Sequence, residues 1–332
     1  MIEQYHPVFD AKDRNAVADV IAGGWINEGP LTSEFECRFA EAVGSRYAVA
    51  CANGTLALYM ALSILYTPGN RLAIPATSAI GTVRAIQMMR VRFIVEDTFT
   101  NQPTLGKFRS GSINTSINGY FDSYPSIIED ACQSLGSRHE GKQIGTFSRI
   151  GCFSLATSKI ITCGQGGVCV TDDKALYEAL SAFKDQGRVR DYDAKTQSNR
   201  YTSPGSNLKF DDIKAALALS QLTKLEERVN HKRAIYTVYK DVLGENILPM
   251  EDEALPWYPM LHVKDSSKAV SQMGKQGIQL KQFPENISVQ RGKNKPYPNA
   301  DRFHREYLYL PCSPDLSLED AAYVAHELEK VI

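Results

Sequence analysis

Tyr47-Ala-Val-Ala-Cys-Ala-Asn-Gly-Thr-Leu-Ala-Leu-Tyr-Met-Ala-Leu-Ser-Ile-Leu65 is the stretch on which the fold turns. Tyr47–Ala52 is short and apolar and reads as a buried strand. Asn53-Gly-Thr55 breaks the run, and Leu56–Leu65 continues it at helical length. No charge occurs from Tyr47 to Asn70, yet the mostly apolar part, Leu56–Tyr66, is too short to cross about 30 Å of hydrocarbon. The segment is a strand, a turn and a buried helix, not a membrane anchor.

The same alternation runs outward in both directions. Asp13–Ala22 and Leu31–Ala42 read as helices, the second with Thr32 or Ser33 as its N-cap. Arg71–Pro75, Val91–Val95 and Ser126–Asp130 read as strands, with a helix at Thr82–Met89. Ile150–Leu155 and Gly167–Thr171 read as strands paired around a loop. Helices follow at Lys174–Lys184 and, as one long element, from Asp211 to about Val242. Strands alternating with helices imply an α/β fold with a mostly parallel sheet sandwiched by helices. The last hundred residues break the pattern. Tyr258–Val263 and Ile278–Gln282 read as strands, Ser267–Gln276 and Leu318–Val331 as helices, and Gln282–Asn299 as a loop. The division expected is a large domain over residues 1–230, including the N-terminal helices, and a smaller α+β domain over 231–332.

Composition sets broad bounds. The 332 residues suggest about two domains. Apolar residues are 43% and charged residues 23%, as in ordinary globular chains, which excludes a disordered or collagen-like protein. The 37 basic and 38 acidic side chains nearly cancel, so nothing calls for nucleic acid. The N-terminus shows no signal-peptide pattern. The seven cysteines are odd in number and form no Cys-x-x-Cys, which reads as reduced thiols in a cytoplasmic protein. The six histidines show no His-x-x-x-His pairing, so no metal site is expected.

Three short stretches can carry chemistry. Ser126-Ile-Ile-Glu-Asp130 puts carboxylates at a strand's end, where ligands bind in open α/β sheets; a turn or capping aspartate is the alternative. Phe153-Ser-Leu-Ala-Thr-Ser-Lys159 runs into the only charge between Arg149 and Asp172. A lysine in such apolar company loses proton affinity and becomes a nucleophile, although a lone lysine can also be a solvated surface group. Asn53-Gly-Thr55 opens a helix, whose N-terminal amides can hold an anion or be simply capped. Ser154 adds a hydroxyl, and Gln133 follows Asp130 by three residues. An acid, a lysine and an anion-binding helix start are together what pyridoxal phosphate requires: a partner for the ring nitrogen, an amine for the aldehyde and a phosphate cradle. Gly164-Gln-Gly-Gly167 does not open a helix and completes no G-x-G-x-x-G, so a dinucleotide loop is excluded.

In order and spacing, these stretches resemble the DegT/DnrJ/StrS aminotransferases, which act on nucleotide-linked keto sugars. The resemblance is carried by Gly23-Gly-Trp-Ile-Asn-Glu-Gly29, Phe35-Glu-Cys-Arg-Phe-Ala40 and Asn53-Gly-Thr-Leu-Ala-Leu58. It continues through Ile128-Glu-Asp-Ala-Cys-Gln-Ser-Leu-Gly136, Gly151-Cys-Phe-Ser-Leu-Ala-Thr-Ser-Lys159 and Gly164-Gln-Gly-Gly-Val-Cys-Val-Thr-Asp172. Gly205-Ser-Asn-Leu-Lys-Phe210, Ala215-Ala-Leu-Ala-Leu-Ser-Gln-Leu222 and Leu310-Pro-Cys-Ser-Pro314 complete it. It implies a fold type I aminotransferase and a homodimer with shared sites. It implies Lys159 as the cofactor-carrying lysine, Asp130 at the ring nitrogen and Gln133 near the ring oxygen. Gly54, Thr55 and Ser154 would bind the phosphate, with Asn207 reaching it from the neighbouring subunit. Glutamate is the implied amino donor. A nucleotide-linked keto-deoxy sugar is the implied acceptor, in surface polysaccharide or secondary-metabolite sugar biosynthesis. Trp25 and Ile26 fall where the family lines the sugar site, but could equally anchor domain packing.

Several positions depart from the family pattern. Pro75-Ala-Thr-Ser-Ala79 has alanine where an aromatic usually stacks on the cofactor. Lys184-Asp-Gln-Gly187 replaces Arg-x-His-Gly, Gln165 replaces a glutamate, and Asn207-Leu-Lys209 replaces Asn-Tyr-Arg. Gln282-Phe-Pro-Glu285 stands where many members carry a Tyr-Pro and His element, and the region 96–126 is shortened. Two alternatives follow. One is a sugar dehydratase, whose family versions replace the lysine by histidine. The other is a catalytically degenerate or regulatory protein that keeps the fold.

Overall fold

A computed structural model describes residues 1–66, 72–104, 113–122, 126–188 and 200–332. The start expected for one strand at Arg71, and much of the shortened region, lie outside the described residues.

Helix α1 (Ala11–Gly23) opens with a reciprocal cap between Asp10 and Asp13. The next helix, α2 (Pro30–Val43), is capped by Gly29, with Pro30 in its first turn. Neither Thr32 nor Ser33 is the cap. Thr32 lies inside the helix, buried, and its hydroxyl donates to Asp212 Oδ1 at 2.7 Å. After β1 (Tyr47–Cys51), the Asn53 side chain accepts from Leu56 N at 3.0 Å and starts α3 (Gly54–Leu65). Next come β2 (Leu72–Pro75), α4 (Ile80–Met88), β3 (Phe93–Glu96), β4 (Asn114–Thr115) and β5 (Ile128–Asp130). Between β3 and β5 the described residues hold no helix beyond a single turn at Ile117–Gly119. A small hairpin, β6 (Arg138–His139) and β7 (Lys142–Gln143), precedes β8 (Ile150–Ser154), β9 (Gly167–Thr171) and α5 (Lys174–Lys184).

The main sheet has the order β1-β9-β8-β5-β4. Strand β9 runs antiparallel to both its neighbours, while β8, β5 and β4 pair in parallel, so β9 alone is reversed in a mixed sheet. A bond from Ile113 N to Ala73 O, at 3.1 Å, links this sheet to the parallel pair β2–β3. Alternation along each strand feeds two cores. Ala48, Ala50, Phe153, Val168 and Val170 pack with Phe35 and Phe39 of α2. Val49, Cys51, Cys152 and Cys169 pack against α3 from the other side. Helices therefore cover both faces, as the sequence predicts.

The long helix expected from Asp211 to about Val242 is two helices, α6 (Asp212–Leu222) and α7 (Leu225–Leu243). The break falls at Thr223 and Lys224, where the Lys224 amine reaches back to Asp13 (2.6 Å) and Asp10 (2.9 Å). It lets α6 lie on α1 and α2 while α7 turns toward the C-terminal core. Val229 of α7 packs in the core beside the main sheet; Ile235, Tyr239 and Leu243 pack in the C-terminal one.

That second core is built on β10 (Met260–His262), α8 (Ser266–Lys275), β11 (Lys281–Gln282), two further helices, α9 (Ile287–Gln290) and α10 (Pro298–Glu306), β12 (Tyr307–Tyr309) and α11 (Leu318–Glu329). Its antiparallel sheet has the order β10-β12-β11. The segment read as a loop, Gln282–Asn299, thus contains α9 and the start of α10. Asp97, just past β3, caps α10 from afar: its carboxylate accepts from Asn299 N (3.0 Å) and Ala300 N (3.1 Å). No described helix is long and apolar enough to cross a membrane.

Candidate active site

Strands β5 and β8 are parallel neighbours, so their C-terminal ends, Asp130 and Ser154, open on the same edge of the sheet. The N-termini of α3 and α4 meet there. A Cβ built on Gly54 would lie 2.9 Å from Ser154 Cβ and 3.0 Å from Cys132 Sγ, so only glycine lets α3 approach β8 this closely. A Cβ on Gly81 of α4 would lie 2.8 Å from Thr55 Oγ1.

Each predicted residue has an identifiable state. Asp130 is 4% exposed; its Oδ2 accepts from Thr82 Oγ1 at 2.6 Å and its Oδ1 from Cys132 N at 3.2 Å. Among the described residues no cation pairs with it. A buried carboxylate held only by neutral donors is complementary to a positively charged ligand atom. Ser154 Oγ accepts from Ala156 N at 3.3 Å, which leaves its proton to donate. Helix geometry leaves the Gly54 and Thr55 amides without intrahelical partners. Gln133 Oε1 accepts from Asn118 N at 2.7 Å, and its amide nitrogen remains a donor.

Lys159 follows β8 in a turn fixed by Lys159 N donating to Ala156 O (2.9 Å) and Tyr5 OH donating to Lys159 O (2.6 Å). Its amine has no hydrogen-bond partner among the described residues and lies 3.9 Å from the centroid of the Trp257 ring. Burial pulls the amine down from 10.5 to about 8, with Cys132 and Asp130 opposing the shift and Lys232 adding to it. A lysine so poised exchanges protons near neutral pH, as a nucleophile or general base must.

The donors fit pyridoxal phosphate. Asp130 can hold a protonated ring nitrogen, and Ser154 with the first amides of α3 can hold the phosphate. Size would not have selected this place. Lys159, Ser154, Cys132, Gln133, Lys232 and Trp257 enclose only about 20 Å³, room for one water. A far larger groove, about 1070 Å³, lies between α1, α2 and α6, away from Lys159.

The remaining predicted residues lie elsewhere on the chain. Trp25 and Ile26 are 62% and 52% exposed on the turn between α1 and α2, and Trp25 folds back on Gly29. Asn207 is exposed and bridges to Asp185. No described contact joins these three to Lys159. Ala79, at the position of the family's aromatic, is the exposed N-cap of α4.

Four contributors were not read from the sequence. Thr82 bonds Asp130. Trp257 faces Lys159. Lys232, buried, donates to Trp257 O at 2.8 Å. Asn118, buried at a φ of 55°, joins Gln133 to the Trp257 segment. Only Trp257 left a signal, as one of two tryptophans in the chain.

The sequence model of the DegT/DnrJ/EryC1/StrS aminotransferase family matches residues 7–102 and 124–329. The chain is 26% identical to GDP-perosamine synthase of Escherichia coli O157:H7, over 99% of this chain and 98% of that protein. It is 28% identical to GDP-4-keto-6-deoxy-D-mannose 3-dehydratase of Yersinia pseudotuberculosis, over 72% of this chain and 70% of that one. Among solved structures, Helicobacter pylori PseC, an aminotransferase involved in the biosynthesis of pseudoaminic acid, superposes with a TM-score of 0.88. It is 20% identical, with 99% of this chain and 98% of that one covered.

Proposed function

The chain belongs to the DegT/DnrJ/EryC1/StrS aminotransferase family, and from that premise we propose that it moves an amino group from glutamate to a nucleotide-linked keto-deoxy sugar. It is a pyridoxal phosphate-dependent sugar aminotransferase. The donor, the nucleotide-linked acceptor and the residue roles below are the proposal. One observation carries it: a half-buried amine with no hydrogen-bond partner among the described residues, Lys159, stands near a buried carboxylate held there only by neutral donors, Asp130, at one sheet edge.

Pyridoxal phosphate, when bound, supplies an electron sink that makes the carbon beside the amino group acidic. The protein supplies the rest. Asp130 keeps the ring nitrogen charged, and Thr82 holds the Asp130 carboxylate in place. Ser154 Oγ and the amides of Gly54 and Thr55 hold the phosphate through fixed dipoles, which a chain of net charge −1 needs. Gln133 donates toward the ring oxygen. Lys159 Nζ takes a proton from the donor carbon and returns one to the acceptor, which its titration near 8 permits at neutral pH. Asn207, Trp25 and Ile26 are exposed, which suits residues that complete a site on a second copy: Asn207 at the phosphate, Trp25 and Ile26 against the sugar. The homodimer, the cytoplasmic location and the division at residues 230 and 231, which falls within α7, belong to the same proposal.

The test uses purified full-length protein. The visible absorption of lysine-bound cofactor should be present, vanish in Lys159→Ala, bleach with glutamate and return with one of a panel of nucleotide keto sugars, under ping-pong kinetics. A chain that takes up no cofactor and ignores glutamate is the degenerate protein that the bare Ala79 favours, and the proposal fails. Loss of water from the sugar without amine transfer would establish the dehydratase instead, against which Lys159 stands.

A further inference from the structure

We propose that Trp257 is a positioning residue for Lys159: its indole face seats the charged lysine amine whenever nothing is attached to that amine. The proposal rests on the assignment of Lys159 above only for its meaning in the reaction; the contact itself is independent of it.

Three observations support the seat. First, the amine of Lys159 lies 3.9 Å from the indole centroid and has no hydrogen-bond partner among the described residues. An indole is the best cation–π surface among side chains, and it stabilises the charged form of an amine. Second, the indole is held from several sides. Its Nε1–H donates to Ser158 O at 2.8 Å, so the same ring holds the backbone just before Lys159 and the tip of the Lys159 side chain. Trp257 N donates to Asn118 O at 3.3 Å, and Lys232 Nζ donates to Trp257 O at 2.8 Å. Third, Asn118 couples this wall to the opposite one. Its side chain exchanges bonds with Tyr258 N (2.8 Å) and Tyr258 O (2.9 Å), while its amide donates to Gln133 Oε1 at 2.7 Å. An asparagine tolerates the left-handed backbone this hub needs.

The charged and titratable groups facing the Lys159 amine act in both directions. Cys132 and Asp130 favour its proton, while Lys232 opposes it. Tyr5 touches only the Lys159 carbonyl. The indole adds to the side that favours the proton, and Lys232 pushes from the same Trp257 carbonyl. Removing the ring and removing Lys232 must therefore shift the titration of Lys159 in opposite directions, which general damage to the pocket would not do.

The experiment follows the pH dependence of trinitrobenzenesulfonate labelling at Lys159, quantified by mass spectrometry on the folded, full-length chain stripped of cofactor. In Trp257→Leu the titration should move down by about one unit from the wild-type value, in Trp257→Phe by less, and in Lys232→Met it should move up. An unmoved or raised titration in Trp257→Leu overturns the proposal, as does a Phe variant displaced as far as the Leu variant. Should Trp257→Leu fail to fold, Trp257→Phe decides: a small downward shift supports the seat and none overturns it. A second measurement separates this proposal from the cofactor reading. In Trp25→Phe, Trp257 is the sole tryptophan, and added pyridoxal phosphate should quench its fluorescence. Titration shifts without quenching overturn the cofactor reading and leave the seat standing; quenching without titration shifts does the reverse.

Discussion

Lys159, half-buried, and Lys184, buried, are two lysines beside the main sheet, and their surroundings give them opposite characters. Lys184, at the end of α5, is 1% exposed and bonds Glu36 Oε1 (2.7 Å), Glu28 Oε2 (3.1 Å) and Ala50 O (3.1 Å). Burial pulls its amine down, but the Glu36 and Glu28 carboxylates outweigh that and hold it above the ordinary lysine value. Lys159 has an indole in place of two carboxylates, and burial wins, down to about 8. Burial alone makes neither a structural cation nor a reactive amine; the partner set decides. Where the family has an arginine, Lys184 still completes a buried ion cluster that ties α2, β1 and α5 together.

The sharpest break in the comparison is functional. Lys159→Ala should lower amine transfer about 1000-fold or more in a steady-state assay. The same variant should unfold in urea at wild-type or higher denaturant, because no hydrogen bond is lost. Destabilisation with activity retained would reverse the two roles. Lys184→Met is the mirror experiment. It takes the cation away from the buried Glu36 and the half-buried Glu28 and should reduce unfolding free energy by about 3 kcal/mol in urea melts. Adding Glu36→Gln should recover part of the loss, and no recovery would show that the cluster is not the cause.

The pH dependence sharpens the contrast by sign. Lys159 titrates at about 8 folded and at 10.5 unfolded, so between these values the unfolded chain holds more protons and stability rises with pH. Lys184 is raised when folded. Its contribution is complete below 10.5 and is lost as pH climbs through the higher folded value. The stability penalty that Lys159 imposes relative to Lys159→Met should therefore shrink from pH 8 to 10.5, while the Lys184 advantage over Lys184→Met persists there. Two differences that change together would refute the contrast. The smallest expected effect is at the carboxylate side of the site. Thr82→Val removes the hydroxyl from Asp130 and should weaken cofactor binding by about 5–10-fold in equilibrium dialysis, with Thr82→Ser close to wild type. An unchanged affinity would remove Thr82 from the site.

What could be read from the chain divides along the same lines as these residues. Strand ends, helix starts and the solitary charge of Lys159 are local patterns, so Asp130, Ser154, Gly54 and Lys159 were visible together with the alternation of strands and helices. The break at Thr223 and Lys224 was not, because both residues are compatible with helix. It is drawn there by Asp10 and Asp13, more than two hundred positions away. The start of α10 was missed although Pro298 and Asp301 mark it locally, because the carboxylate that caps it, Asp97, comes from the distant end of β3.

The sequence by itself determined the α/β architecture and the family and singled out Lys159 as the candidate lysine, since periodicity, turn residues and spacing act over a few positions along the chain. Only the tertiary structure decided what surrounds that lysine. Thr82, Asn118, Lys232 and Trp257 reach the site through hydrogen bonds and ring contacts whose geometry exists only once distant segments have closed on one another. The proton affinity of a buried amine is set by those neighbours in space, and nothing in its own sequence neighbourhood specifies them.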